Sequence, residues 1–242
     1  MKENKYLVDL LEKISEKQYI GLGNPNAKIL FIGKEAGAEF ETEMFHGSVK
    51  SWKDKEFNYS KRYIPNDLKF RNLNHTWQRY QKLYDCILSN LNLDYEKKDK
   101  YEISFVENVF TTELSNLHAP STKDAKNQER FRDELKIRKI EFFDSKFIQQ
   151  FPIIVIFAND NKYIETYQGE VCELFNVKFD NLHNQYSKDK IWIHSENEND
   201  KNPRLLIHTR QLTNSISADL IPTICDLIVN FIKKNSIHIE SN

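Results

Sequence analysis

Three short stretches carry side chains able to do chemistry. Gly33-Lys34-Glu35-Ala36-Gly37 sets a carboxylate just past an apolar run, Asn108 lies inside another run, and His208-Thr209-Arg210-Gln211-Leu212-Thr213 opens on an imidazole. A carboxylate can orient water or stabilise a cation, and an imidazole can stabilise developing oxyanion charge. A primary amide offers a paired donor and acceptor to a base edge. These groups form a site only if the fold gathers them at one edge, and open α/β sheets bind ligands outside the carboxyl ends of their strands. Each residue alone has a plainer explanation. A Glu after a strand is commonly solvated, an Asn in a strand is commonly a local hydrogen-bonding device, and a His at a strand end is commonly structural.

Stepping along the chain, Leu7, Leu10, Leu11 and Ile14 have helical spacing over 5–17. Gly21-Leu22-Gly23-Asn24-Pro25-Asn26 is a turn. Its glycines precede a strand, whereas a dinucleotide-binding loop needs them after one, so that reading is rejected. Lys28–Ile32, ended by Gly33, reads as a buried strand. Residues 37–70 read as a long loop with one short helix, and 76–93 as a helix with Trp77, Tyr80 and Tyr84 inward. Strands are expected at 103–110, 152–157, 190–194 and 204–208, with polar loops at 115–126 and 195–203. Helices are expected at 127–150, 161–175 and 219–234, where Pro222 falls in a first turn. Alternating strands and helices predict an α/β fold, a three-layer α/β/α sandwich around a mainly parallel sheet. No linker divides the chain, so one domain is expected over 1–242, with an N-terminal helix in 1–20 and the core in 21–234.

The chain has 242 residues, with 35 Lys+Arg, 36 Asp+Glu and a formal net charge of −1. That balance excludes a globally basic nucleic-acid binder but not a local basic groove. Lys50, Lys53, Lys55, Lys61, Arg62, Lys69 and Arg71 form either such a patch or a solvated loop face. The mean hydropathy of −0.67 and the absence of a long apolar run argue against a membrane partner. Cys86, Cys172 and Cys225 are far apart in sequence and supply no four-cysteine cluster. Reduced thiols, a cytoplasmic location and no metal or other cofactor are expected.

Taken together, the motifs resemble the uracil-DNA glycosylase superfamily. Residues 23–37 are similar to its first strand, which leads into G-x-D-P-Y, G-x-N-P-G or G-E-A-P-G. Phe105–Thr111 resembles the strand written T-N-V-V or L-N-T-V, Phe151–Phe157 the P-x-V-I-V core strand, and His208–Thr213 the H-P-S-P-L-S loop. Ala36 replaces the first motif's Pro, and Thr209 and Arg210 replace Pro and Ser of the last.

The resemblance implies a glycosylase that hydrolyses the N-glycosidic bond of a flipped uracil or other deaminated or modified base. Its DNA partner would be single- or double-stranded and the protein a monomer. Glu35 would orient water or stabilise the sugar cation, and His208 would stabilise the leaving base. Gly33, Lys34, Gly37, Phe45 and Asn108 would line the base site, with Phe45 stacking and Asn108 reading the base edge. Arg210, Leu212 and Thr213 would face DNA, with Leu212 wedged into the gap left by the flipped nucleotide. The alternatives are an inactive or weak nucleotide- or nucleic-acid-binding member of the same fold, or a hydrolase of free nucleosides or nucleotides.

Overall fold

The computed structural model describes residues 3–16, 18–37, 47–54, 61–65, 71, 75–93, 99–165, 169–183, 189–197, 200, 202–213 and 215–239. Among these, seven strands form one mixed sheet in the order β1-β3-β2-β4-β7-β6-β5. The strands are β1 (Leu22–Gly23), β2 (Ile29–Gly33), β3 (Val109–Glu113), β4 (Ile153–Phe157), β5 (Val177–His183), β6 (Ile191–Glu196) and β7 (Leu205–Thr209). The central four, β3-β2-β4-β7, run parallel. β1 on one side and β6 and β5 on the other are antiparallel to their neighbours.

Every residue of β2, β4 and β7 is buried, as a strand covered on both faces requires. Alternation sends Leu30, Ile32, Ile154 and Ile156 into one core. There they meet residues of α1 (Lys5–Leu11), α5 (Phe131–Arg138), α6 (Lys146–Gln149) and α7 (Glu170–Phe175). Ile29, Phe31, Val155 and Phe157 enter the opposite core, under α3 (Thr76–Asn90) and α8 (Leu220–Asn235). The molecule is therefore an α/β sandwich with helices on both faces of the sheet. Among the described residues, no helix is long and apolar enough to cross a membrane.

Several expected elements shift. The apolar run at 103–110 is only partly strand. Gln81 Oε1 accepts from the amides of Ser104 (2.8 Å) and Phe105 (3.0 Å), so a side chain takes the place of a neighbouring strand. Phe105–Glu107 is then a 3-10 turn, and β3 starts only at Val109. The helix expected at 127–150 breaks into α5, a π-helical turn at Lys139–Phe143 and α6, whose start Ser145 caps. A helix α4 (Thr122–Asn127) stands in the expected polar loop. In 161–175 only α7 is helical among the described residues, and β5 follows it with a polar sequence that gave no strand signal. The short helix of 37–70 is α2 (Val49–Lys53), and much of that stretch lies outside the described residues.

Cys86 in α3 and Cys225 in α8 form a disulfide with Cα atoms 6.1 Å apart. This corrects the expectation of reduced thiols for that pair. Sequence separation hid it, because only the packing of α3 on α8 brings the two cysteines together.

Candidate functional site

The chain leaves β2 for β3 on one side and then crosses to β4 on the other. The carboxyl ends of β2 and β4 therefore flank the point where strand order reverses, which opens a crevice in a sheet of this kind. Side chains following those two strands meet across it. Glu35, two residues past β2, is partly buried and accepts hydrogen bonds at both oxygens. Tyr163, after β4, donates to Oε2 at 2.6 Å, and Thr122 of α4 donates to Oε1 at 2.6 Å. Burial, and then the Glu35 carboxylate, hold the Tyr163 hydroxyl firmly protonated.

Beside this carboxylate, Lys34 Nζ lies 3.4 Å from Asp160 Oδ2, and Lys126 of α4 pairs with the same oxygen. Both ammonium groups also stand over the Tyr163 ring, at 5.7 and 5.6 Å from its centre. Burial alone would raise the Asp160 pKa. Hydrogen bonds from Lys126 and the Lys162 amide, with the charges of Lys34 and Lys126, hold it below the usual range.

A second carboxylate ends β3. Glu113 is paired in register with Gly33, and its side chain lies over that glycine. A Cβ at Gly33 would sit 2.1 Å from Glu113 Oε2, so the bare backbone is what admits the carboxyl. Burial, and then the negative charge of Glu35, push Glu113 up to about 8, against the opposing charge of Arg138. Arg138 is fully buried beneath the strand end. It donates to the carbonyls of Glu113 (2.9 Å) and Tyr19 (2.6 Å), to Gln18 Oε1 (3.2 Å) and to Thr112 Oγ1 (3.0 Å). Its guanidinium stacks on Phe142, 4.2 Å from the ring centre. Burial presses its pKa down, but these acceptors hold the cation in place. Tyr80 sends a hydroxyl into the same field; it is buried with no hydrogen-bond partner among the described residues.

The residues expected from sequence are not all gathered here. Gly33, Lys34 and Glu35 stand at the crevice, and Gly37 is exposed just beyond it. Phe45 lies outside the described residues. Asn108 is at the wrong end of the sheet for the expected role. It precedes β3, one residue before the Val109–Ile29 pair, so about 16 Å of strand separates its level from that of Gly33. Its amide donates to Tyr84 Oη at 2.8 Å, which ties the start of β3 to α3.

His208 is level with Ile156 of β4, which is level with Ile32 of β2, so it is near the correct edge but two strands from Glu35. It is fully buried, with Nε2 3.2 Å from the Ala158 carbonyl oxygen and its ring 5.6 Å from Trp192. That contact ties β7 to the segment after β4. Leu212 is fully buried in the α3/α8 core, so it is a core side chain here and not an exposed wedge. Arg210 pairs with Asp189 at 3.0 Å, and Thr213 is partly exposed.

Of the expected basic run, two members are paired with acids among the described residues. Arg62 pairs with Glu107 and Glu102, Lys53 approaches Glu16 at 3.9 Å, and Lys55 and Lys69 lie outside the described residues. Positive charge collects elsewhere. A cavity of about 390 Å³ beside the crevice is lined by Lys126, Arg132, Lys136, Lys139 and Lys162, with Glu170 as its one acidic wall residue. Lys126 belongs to both the cavity and the crevice.

Asp160 and Tyr163 could have been found by applying the strand-end rule to Pro152–Phe157, the clearest strand in the sequence. Glu113 was hidden by the shifted start of β3. Thr122 and Lys126 come from a helix that gave no apolar period. Among the described residues, no group of three or more His, Cys, Asp or Glu side chains is placed to hold a metal ion. Comparison with known protein families and with curated proteins finds no match to this chain.

Proposed function

We propose that this chain hydrolyses the N-glycosidic bond of a nucleotide unit, as a divergent uracil-DNA glycosylase-like protein. The observation that carries the reading is the Glu35 carboxylate, fixed by the Tyr163 and Thr122 hydroxyls at the crevice between β2 and β4. A carboxylate oriented in this way can take a proton from water and stabilise positive charge growing on a sugar ring. The motif resemblance and the parallel order β3-β2-β4-β7 support the same reading. The basic cavity reached through Lys126 suits a substrate that carries phosphate.

Two assigned roles change in this reading. His208, buried against the Ala158 carbonyl, acts as a positioning residue for the end of β4. Asn108 is left out of the base site. Base release from oligonucleotides carrying uracil, hypoxanthine, xanthine, mismatched thymine or 5-hydroxymethyl bases tests the proposal, with wild type and Glu35→Gln compared. Wild type is expected to leave an abasic product, and the variant to lose on the order of 10²-fold or more in rate. No release from any member by folded wild type would sink it.

Lys34 and Lys126 converging on one aspartate favour a second reading, a module that binds an anionic nucleotide without cleaving it. Binding of a nucleotide or oligonucleotide that is unchanged in Glu35→Gln and accompanied by no turnover in wild type would select it.

A further inference from the structure

Five basic side chains from three parts of the chain face one hollow of about 390 Å³, a size in the range of small-ligand pockets. Lys126 comes from the last turn of α4. Arg132, Lys136 and Lys139 follow along α5 and into the π-helical turn at intervals of four and three, which keeps them on one helical face. Lys162 comes from the segment after β4, with Asn161 beside it, and the buried Phe131 and Leu135 supply apolar lining. Two of the five cations are balanced, Lys126 by Asp160 and Lys139 by Glu170. Among the described residues, no ion pair engages the side chains of Arg132, Lys136 or Lys162. Like charges on the walls of a hollow focus positive potential into it, and an anion held there relieves their repulsion. Arg132 offers a planar fork to phosphate oxygens, and the lysines offer point charges.

The walls favour a phosphate at the end of a chain over one inside it. Glu170 is fixed in the wall, 2.6 Å from Lys139 and accepting from the Glu165 amide at 3.2 Å. A backbone running on through the cavity would meet that carboxylate, whereas a chain that ends there would not. A phosphate monoester also carries close to two negative charges at neutral pH, and an internal diester only one. The clustered cations suit the more concentrated charge.

The cavity and the crevice share the Tyr163 ring. Phe131 packs edge-on against it with centroids 5.1 Å apart, Lys126 stands over its face, and its hydroxyl holds Glu35. One aromatic ring thus lies between the cavity wall and the carboxylate, much as a sugar and a methylene lie between C1′ and a 5′-phosphorus. We infer that this cavity is the binding site for a terminal 5′-phosphate, of a free nucleotide or of a strand end. The inference rests on reading the crevice as a nucleotide site, and not on cleavage by Glu35.

Equilibrium titration tests it. Pyrophosphate is titrated into wild type. Deoxyuridine, its 5′-monophosphate and its 5′-diphosphate are titrated into Glu35→Gln, where turnover does not intervene. Pyrophosphate should bind, and the monophosphate should bind about tenfold or more tighter than deoxyuridine. Arg132→Ala, Lys136→Ala and Lys162→Ala each remove an exposed side chain, and thermal melting checks their folding. Each should weaken pyrophosphate about tenfold. Lys82→Ala removes the same charge from the exposed surface of α3, on the other face of the sheet, and should change binding by less than about twofold. Oligonucleotides with and without a 5′-phosphate separate the two sources. A gain from that phosphate assigns the strand end, and no gain, with strands bound more weakly than the mononucleotides, assigns the free nucleotide. Nucleotides bound no tighter than deoxyuridine, or losses no greater than that of Lys82→Ala, overturn the inference. So does a strand that binds more tightly than any mononucleotide whether or not it is phosphorylated. The hydrolase reading stands or falls separately, on base release by wild type.

Discussion

At the scale of single residues, the crevice is organised by hydroxyls and one buried arginine. Tyr163 and Thr122 each donate one short bond to Glu35. A hydrogen bond to a charged group contributes about 1.5–3 kcal/mol. Tyr163→Phe should therefore slow base release roughly ten- to a hundredfold while the melting temperature stays within a few degrees; steady-state rates and a thermal scan check both. Arg138 acts differently, because it satisfies two buried backbone carbonyls. Arg138→Met strands those acceptors and should cost about 3–5 kcal/mol, read by urea titration.

Glu113 also makes stability depend on pH. Its folded value of about 8 lies above the ordinary 4.5, so the folded state binds this proton more tightly than the unfolded chain does. Its contribution to stability is full below about 4.5 and is lost as pH rises towards about 8, by up to a few kcal/mol. Glu113→Gln, which cannot ionise, should melt higher than wild type at pH 8 and close to it at pH 5. Gly33 belongs to the same unit. Gly33→Ala should displace the Glu113 carboxyl, because a flexible side-chain end is what the new methyl meets.

At the scale of elements, the Cys86–Cys225 bond ties α3 to α8 across a sequence separation of 139 residues. These helices cover the same face of the sheet, the face onto which alternation directs Glu113. A disulfide typically stabilises by about 2–4 kcal/mol, and a domain of this size shifts by roughly 2–4 °C per kcal/mol. Reduction, or Cys86→Ser, should lower the melting temperature by roughly 5–15 °C in a scan with and without reductant. The start of β3 shows how an element can mislead. Ile103, Phe105 and Val106 are as buried as strand residues, but Gln81 accepts from the Ser104 and Phe105 amides and Ile103 makes only an isolated antiparallel bridge with Tyr63, so the apolar run predicted burial rather than a strand of the sheet. That shift of a few residues moves Asn108 away from the crevice and brings Glu113 to it.

At the scale of the whole molecule, a chain with a formal net charge of −1 gathers, among the described residues, five basic side chains around a cavity beside the crevice, with Lys126 paired to Asp160 and Lys139 to Glu170. Binding through such a cavity should weaken with salt, because each phosphate contact releases condensed counterions. Arg132→Glu with Lys136→Glu should release DNA from the protein at lower salt and reduce the slope of log K against log salt. Fluorescence anisotropy at several salt concentrations measures this, and an unchanged slope would remove the cavity from the nucleic-acid interface.

The sequence by itself determined the α/β class, the position of the core strands β2, β4 and β7, the long helices α3 and α8, and Glu35 as a strand-end carboxylate. Those features rest on local periodicity and on apolar runs bounded by turn residues, both of which are written in consecutive positions. Only the tertiary structure decided the rest. The crevice exists because β3 and β4 lie on opposite sides of β2, a choice no local pattern encodes. Tyr163, Thr122 and Lys126 reach Glu35 and Asp160 across sequence gaps that carry no signal. Packing buried Leu212 and His208, joined Cys86 to Cys225, and enclosed Glu113 beside a second negative charge, because burial and charge proximity are properties of the assembled core.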